Sequence, residues 1–291
     1  MAHERSPFAR VRVGYDRGPR GAACVRIRRF PVATDTITLE IDGPIAIVSN
    51  NRPDKHNAAN DEMDAGLFEI IAELKTRPDV RCVIWRANGK SWSSGRDVSQ
   101  LGIRTEDIDN LSFIERGQQA FAQSMDLPMP ILCALKGWVI GGSFERSLVA
   151  DLRICAEGTR FMLPEVKHGV LTDTGGMARL FQIVGHGVTM DLVLTGRVME
   201  ADEALRHGIV SRVVPADELE ATARGMAEEI AAAPAFTVKM ARRNMGLIAN
   251  AVVRDSIREE GTTQTLVFAS EDYAEMKAAR SEGRPPVYRG R

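Results

Sequence analysis

Residues 131–149 read ILCALKGWVIGGSFERSLV. A strand-length apolar run, Ile131–Lys136, meets three glycines (Gly137, Gly141, Gly142), and a helical stretch runs from about Gly142 to Val149. Glycines ahead of a helix let the backbone approach a ligand and leave helix-start N–H groups unpaired. A pair of such N–H groups can bind a developing oxyanion. The same arrangement occurs upstream: a buried-strand pattern over Val80–Arg86 leads into Lys90–Ser91–Trp92–Ser93–Ser94–Gly95–Arg96–Asp97–Val98. Either loop taken singly reads as an ordinary turn, because a short glycine-bearing loop is a weak signal.

Outward from these loops the chain alternates between strand and helix patterns. Thr36–Ile41 and Ile45–Asn50 read as strands joined at Asp42–Gly43–Pro44. Met63, Leu67, Ile70, Ile71 and Leu74 recur at helical spacing within Asp61–Thr76. A helix is predicted over Asp107–Met125, then short strands over Leu152–Ala156 and Arg160–Leu163. Further helices are predicted at about 175–185, 187–194, 200–207, 217–232 and most of 235–283. Strands early and helices late predict an α/β core over 36–233 with a helical C-terminal region, 234–291.

Two more segments carry chemistry-bearing residues. Phe161–Met162–Leu163–Pro164–Glu165 places a carboxylate just after a strand, and Asp173–Thr174–Gly175–Gly176 opens a helix eight residues later. Here the chain resembles the crotonase superfamily, the enoyl-CoA hydratases and isomerases, over roughly residues 36–283. The resemblance rests on Arg52–Pro53–Asp54–Lys55–His56–Asn57–Ala58, Ser94–Gly95–Arg96–Asp97, Gly137 through Glu145, Pro164–Glu165, Gly175–Gly176 and Leu194–Thr195–Gly196. No one of these is decisive; their order and spacing together are specific.

The resemblance implies a spiral of ββα units whose helical tail builds a homotrimer or a dimer of trimers. It implies an acyl-CoA thioester substrate and an oxyanion hole from the N–H groups of Arg96 and Gly142. Coenzyme A would lie along His56, Ala58, Ser94, Asp97 and Val98, with Gly141 and Pro164 also lining the substrate. No separate cofactor or metal is implied, since coenzyme A is part of the substrate. Glu145 and Glu165 occupy the two positions that hydratases fill with glutamates, twenty residues apart. Alone, each reads as a solvated helix residue or a carboxylate complementing a helix N-terminus. Under the resemblance they become an acid/base pair that holds and deprotonates a water. Asp173 departs from the usual hydratase text and falls where double-bond-shifting relatives carry a catalytic aspartate; it also fits a simple helix-start acid. Arg96, Ser143 and Phe144 stand where smaller residues are usual, which bears on pocket shape.

Composition narrows the rest. The 291 residues are 44% hydrophobic and 26% charged, with a net charge of −1. That balance gives no reason to expect a membrane or nucleic acid as the main partner. Cys24, Cys82, Cys133 and Cys155 lack C-x-x-C spacing, as expected of a reduced, cytoplasmic protein without disulfides or structural zinc. Residues 1–30 carry arginines at 5, 10, 12, 17, 20, 26, 28 and 29 against Glu4 and Asp16. Val11, Val13 and Tyr15, then Val25 and Ile27, alternate with polar residues, so a β-hairpin arm over 1–35 is expected rather than a transit peptide. The expected activity is hydration of a trans-2-enoyl-CoA. An enoyl- or dienoyl-CoA isomerase using Glu165 and Asp173 is the alternative. A non-catalytic binder of RNA or acidic protein is a third reading.

Overall fold

The computed structural model describes residues 34–100 and 109–291, together with the backbone of Arg28–Arg29. Its strands are β1 (Arg28–Arg29), β2 (Ile37–Asp42), β3 (Ile45–Asn50), β4 (Cys82–Ala87), β5 (Ile131–Leu135), β6 (Trp138–Ile140), β7 (Leu152–Ala156), β8 (Arg160–Met162), β9 (Met199–Glu200) and β10 (Val213–Val214). Its helices are α1 (Asp61–Lys75), α2 (Asn110–Ala122), α3 (Gly142–Val149), α4 (Gly176–Thr195), α5 (Ala201–Arg206), α6 (Leu219–Ala232), α7 (Ala235–Ala269) and α8 (Glu271–Glu282). The larger sheet has the order β1-β2-β3-β4-β5-β7-β10 and the smaller one β6-β8-β9. From β3 to β10 the larger sheet is parallel, so its strand C-termini share one edge, where the loops of interest leave.

The central strands are apolar on both faces because both faces are covered. Ala46, Val48, Val83, Trp85 and Cys133 point into the main core, shared with α1, α2, α3 and α4. Ile45, Ile47, Cys82, Ile84, Leu132 and Ala134 point the other way, against Leu219, Ala223 and Ala227 of α6. Adjacent residues thus serve opposite cores, as period two requires. α1 starts at Asn60, whose side chain accepts the Met63 N–H at 2.9 Å. The described cysteines Cys82, Cys133 and Cys155 are free and buried.

Several expectations need correction. The helix expected over 235–283 is two, because Ser270 leaves helical geometry (φ −74°, ψ 151°) and its hydroxyl caps the Tyr273 N–H at 3.1 Å. The helix expected over Asp107–Met125 ends as an α-helix at Ala122 and closes with a 3₁₀ turn, Gln123–Asp126. Strands β6, β9 and β10, two or three residues long, went unpredicted because so short a run shows no periodicity. Gly185 (φ 75°, ψ 175°) interrupts α4 where a break between two helices was expected. The hairpin arm expected over residues 1–35 lies outside the described residues, apart from residues 34–35 at its end and Arg28–Arg29, which pair antiparallel with Ile41 and Glu40. Among the described residues no helix is long and apolar enough to cross a membrane.

Candidate active site

The two glycine loops that the sequence singles out run side by side. Trp92 N–H donates to Lys136 O at 2.7 Å, Ser93 N–H to Trp138 O at 3.0 Å, and Ile140 N–H to Ser93 O at 3.1 Å. The first loop is held on its other flank by Ala59, whose N–H donates to Gly95 O (2.7 Å) and whose carbonyl accepts from Asp97 N–H (2.9 Å). In extended backbone, successive N–H groups face opposite ways, so the Arg96 N–H between them faces away from Ala59. In the second loop Gly141 N–H donates to Met162 O at 2.8 Å, and Gly141 O accepts the first helical bond, from Glu145 N–H at 3.0 Å. Gly142 is then the first residue of α3, where an N–H has no partner within the helix. Among the described residues neither the Arg96 nor the Gly142 N–H donates to another protein group.

The carboxyls gather on the far side of the second loop. Gly141 has φ 60° and ψ −140°, and a Cβ there would lie 2.7 Å from Glu165 Oε1, so only glycine lets Glu165 stand over this turn. Glu165 Oε2 is buried without a hydrogen-bond partner. Glu145, 1% exposed, sends Oε2 to the Thr174 and Gly176 N–H groups, both at 3.1 Å. Gly176 admits it, since a Cβ there would meet the Glu145 Cβ and Cγ at 2.4 Å. Between those donors, the Gly175 N–H donates to Glu260 Oε2 of α7 at 2.8 Å, and Ser256 holds the other Glu260 oxygen at 2.7 Å. Three consecutive amides at the start of α4 are thereby taken by two buried carboxyls. The rear of α3 is equally fixed: Arg153 donates to the Ser147, Leu148 and Ala150 carbonyls and to Ile209 O.

Burial raises the proton affinity of the whole group. Glu145 is pushed well above the usual carboxylate range, first by burial and then by repulsion from Glu165, Asp173 and Glu260. Burial pushes Glu165 up to about 7; its own N–H pulls the other way, and Asp173 adds to the rise. Asp173 is pushed up to about 6 by burial, against the pull of Arg146. Glu260 is also raised, by burial, despite its bonds to Ser256 and Gly175. Arg146 Nη1 donates to Asp64 Oδ1 at 2.6 Å; Arg96 Nη1 reaches Asp64 Oδ2 at 3.1 Å, and its Nη2 pairs with Asp61. Arg96 therefore turns its side chain to α1 while its backbone stays in the loop.

The family resemblance implies a substrate path along His56, Ala58, Ser94, Asp97, Val98 and Pro164. His56 is exposed with a left-handed φ of 49°, and its Nδ1 lies 3.0 Å from Ser91 Oγ. Ser94 N–H donates to His56 O at 2.9 Å, so these two segments are joined. Ala58 O accepts from Arg52 at 2.6 Å, and the same guanidinium pairs with Asp97 at 3.2 Å. Asp97 lies below the usual carboxylate range, chiefly because Ser99 donates to it. Val98 is 63% exposed. Pro164 precedes the 3₁₀ turn Glu165–His168 that presents Glu165.

Four residues of the site went unassigned: Asn57, Gln118, Arg146 and Glu260. Asn57 is fully buried, accepts from Arg52 N–H (2.6 Å) and donates to Asn88 O (2.8 Å) and Ser91 O (2.7 Å). Gln118 of α2 donates to Asp173 O at 2.6 Å. Glu260 had a readable signal, since Val253, Ile257, Glu260 and Gln264 fall at spacings of four, three and four on one helix face.

The chain is similar to known proteins over most of its length. A family model described as "Enoyl-CoA hydratase/isomerase" matches residues 40–291. The chain is 33% identical over 256 residues to "Probable enoyl-CoA hydratase echA8" of Mycobacterium tuberculosis (strain CDC 1551 / Oshkosh), covering 87% of this chain and 98% of that one. It is 33% identical over 255 residues to (E)-benzylidenesuccinyl-CoA hydratase of Thauera aromatica, with coverage of 87% and 99%. Among solved structures, an enoyl-CoA hydratase/isomerase from Pseudoalteromonas atlantica T6c superposes with a TM-score of 0.79 at 26% identity, over 87% of this chain and 100% of that one.

Proposed function

Because this chain belongs to the enoyl-CoA hydratase/isomerase family, the crotonase superfamily, we propose that it is a hydratase adding water across the 2,3 double bond of an enoyl-CoA thioester. The Arg96 and Gly142 N–H groups receive the thioester oxygen. Both are held by backbone bonds to their neighbours, so they need no rearrangement as charge develops there. Water attacks Cβ as the carboxylate of the Glu145–Glu165 pair that is ionised takes its proton, the electron pair of the double bond moves through Cα onto the thioester oxygen, and Cα then takes a proton from the pair.

One observation carries this reading: Glu165 stands over Gly141, beside the Gly142 donor, with one oxygen buried and unpartnered. A carboxyl so placed, with its pKa pushed to about 7, can give or take a proton near neutral pH. Glu145 is its partner. Burial and repulsion from Glu165 raise its proton affinity too, and two crowded carboxyls resist being ionised together, so one can act as acid while the other is base, and both can bind the attacking water. Coenzyme A follows the segment from His56 to Ala58 and the first loop from Ser94 to Val98, with the chain acting as a homotrimer or a dimer of trimers in the cytoplasm.

The isomerase reading draws on Asp173, whose carboxyl belongs to the same electrostatic cluster as Glu165. There Glu165 and Asp173 would move a proton between carbons without adding water. An assay with crotonyl-CoA and a 3,5-dienoyl-CoA separates the two. Loss of the conjugated enoyl chromophore is expected with the first. Its appearance from the second, with no hydration of the first, would establish the isomerase instead.

A further inference from the structure

The two segments that carry the Arg96 and Gly142 N–H groups are joined by more than backbone. The ladder between them ends at Ile140, and Gly141 then turns the chain into α3. Past that point, among the described residues, the direct hydrogen bond from the first loop to the first turn of α3 is between two hydroxyls. Ser93 Oγ and Ser143 Oγ lie 2.7 Å apart, with the two residues 1% and 5% exposed. Ser93 Oγ donates to Asn57 O at 2.6 Å, which uses its single proton. Ser143 must therefore be the donor in the bond between the hydroxyls. The Gly95 N–H reaches the same Ser93 oxygen at 3.3 Å. Ser93 Oγ thus makes one donated and two accepted bonds, its full capacity.

The resulting chain runs from the Ser143 hydroxyl through the Ser93 hydroxyl to the Asn57 carbonyl. It ties the start of α3, the first glycine loop and the Arg52–Ala58 segment to one oxygen. Bonds in series polarise one another, and in a dry interior such a chain strongly resists distortion. Ser143 directly follows Gly142, and Ser93 lies three residues before Arg96, so a change in this link changes the span between the two N–H groups. We propose that Ser143 is a positioning residue for the thioester oxygen, setting through Ser93 the separation of the Arg96 and Gly142 donors. This rests on the reading of those two N–H groups as the oxyanion hole.

The test uses the full chain and acetyl-CoA carrying a ¹³C label at its thioester carbonyl, which has no double bond to hydrate. Two donors polarise the carbonyl and lower its stretching frequency on binding. Wild type should show that lowering, Ser143→Ala a smaller one, and Ser143→Thr, which keeps the hydroxyl, most of the original. Ser143→Ala should also lower kcat on a 2-enoyl-CoA by about tenfold with KM within about twofold, the pattern of a misaligned group rather than lost binding. In a Ser93→Ala background, the further change Ser143→Ala should have little effect on either readout, because the two act as one unit. Thermal melts identify any variant that unfolds, and for such a variant the Thr substitution and the Ser93 background supply the comparison. An unchanged frequency in folded Ser143→Ala, with wild type lowered, overturns the positioning role and leaves the oxyanion hole standing. No lowering in wild type overturns the oxyanion hole itself, and the inference with it.

Discussion

The two walls of the site are built on opposite terms. On the oxyanion side nearly every buried polar group is satisfied: Asn57 makes three hydrogen bonds, Ser93 fills its valence, and Asn50 bridges Trp92 O (3.0 Å) and Trp85 Nε1 (2.9 Å). On the carboxyl side Glu165 Oε2 and Thr174 Oγ1 are buried without partners, and Glu145, Glu165, Asp173 and Glu260 crowd together with raised proton affinities. Satisfied polar groups stabilise and hold geometry, whereas crowded, desolvated carboxyls destabilise the fold and sharpen acid/base chemistry. The first wall holds the thioester still; the second keeps protons ready to move.

The largest expected effect probes the second wall. Glu165→Gln should lower turnover by at least about a hundredfold while the fold and CoA binding persist, the usual worth of a positioned acid/base group. Steady-state kinetics beside a thermal melt would check it. Near-normal turnover would remove Glu165 from the mechanism and with it the contrast between the walls.

Asn57→Ala probes the first wall. It strands the Arg52 N–H, the buried Ser91 carbonyl and the half-buried Asn88 carbonyl, and should cost about 2–4 kcal/mol of stability, read from the urea midpoint. A loss under about 1 kcal/mol would show that this wall does not depend on polar satisfaction.

Asp173→Asn should be milder if water addition is the reaction, leaving turnover within roughly tenfold because no proton is handed to this residue. A fall of two or more orders of magnitude, beside a tolerant Glu145→Gln, would transfer the acid/base role to Asp173 and favour the isomerase.

The subtlest readout is a difference in slope, the dependence of stability on pH. Glu165 titrates at about 7 in the fold but near 4 when unfolded, so between those values the folded state holds more protons. Stability contributed by this group is therefore full below about pH 4 and is lost as pH rises through about 7. Melting temperatures from pH 5 to pH 8 should fall less steeply in Glu165→Gln than in wild type. Parallel slopes would mean that the carboxyl is not desolvated as the geometry indicates.

Local sequence determined a good deal of this protein. The glycines at 137, 141 and 142, the strand ahead of them and the helix after them form a short-range pattern, and α3 begins at Gly142 as that pattern predicts. The stripe on α6 and the apolar strands were legible for the same reason, since residue spacing alone sets which face is buried. Glu145 and Glu165 were nameable only through the family resemblance, which says nothing of their states. Burial and mutual repulsion raise their proton affinities, and both depend on what lies nearby in space rather than along the chain. Tertiary structure alone decided that the two loops zip together, that Arg96 turns its side chain to Asp61 and Asp64, and that Glu260 of α7 closes the start of α4. Those contacts join residues from 32 to 85 positions apart, and a local pattern carries no information about which distant polar group will satisfy a buried donor.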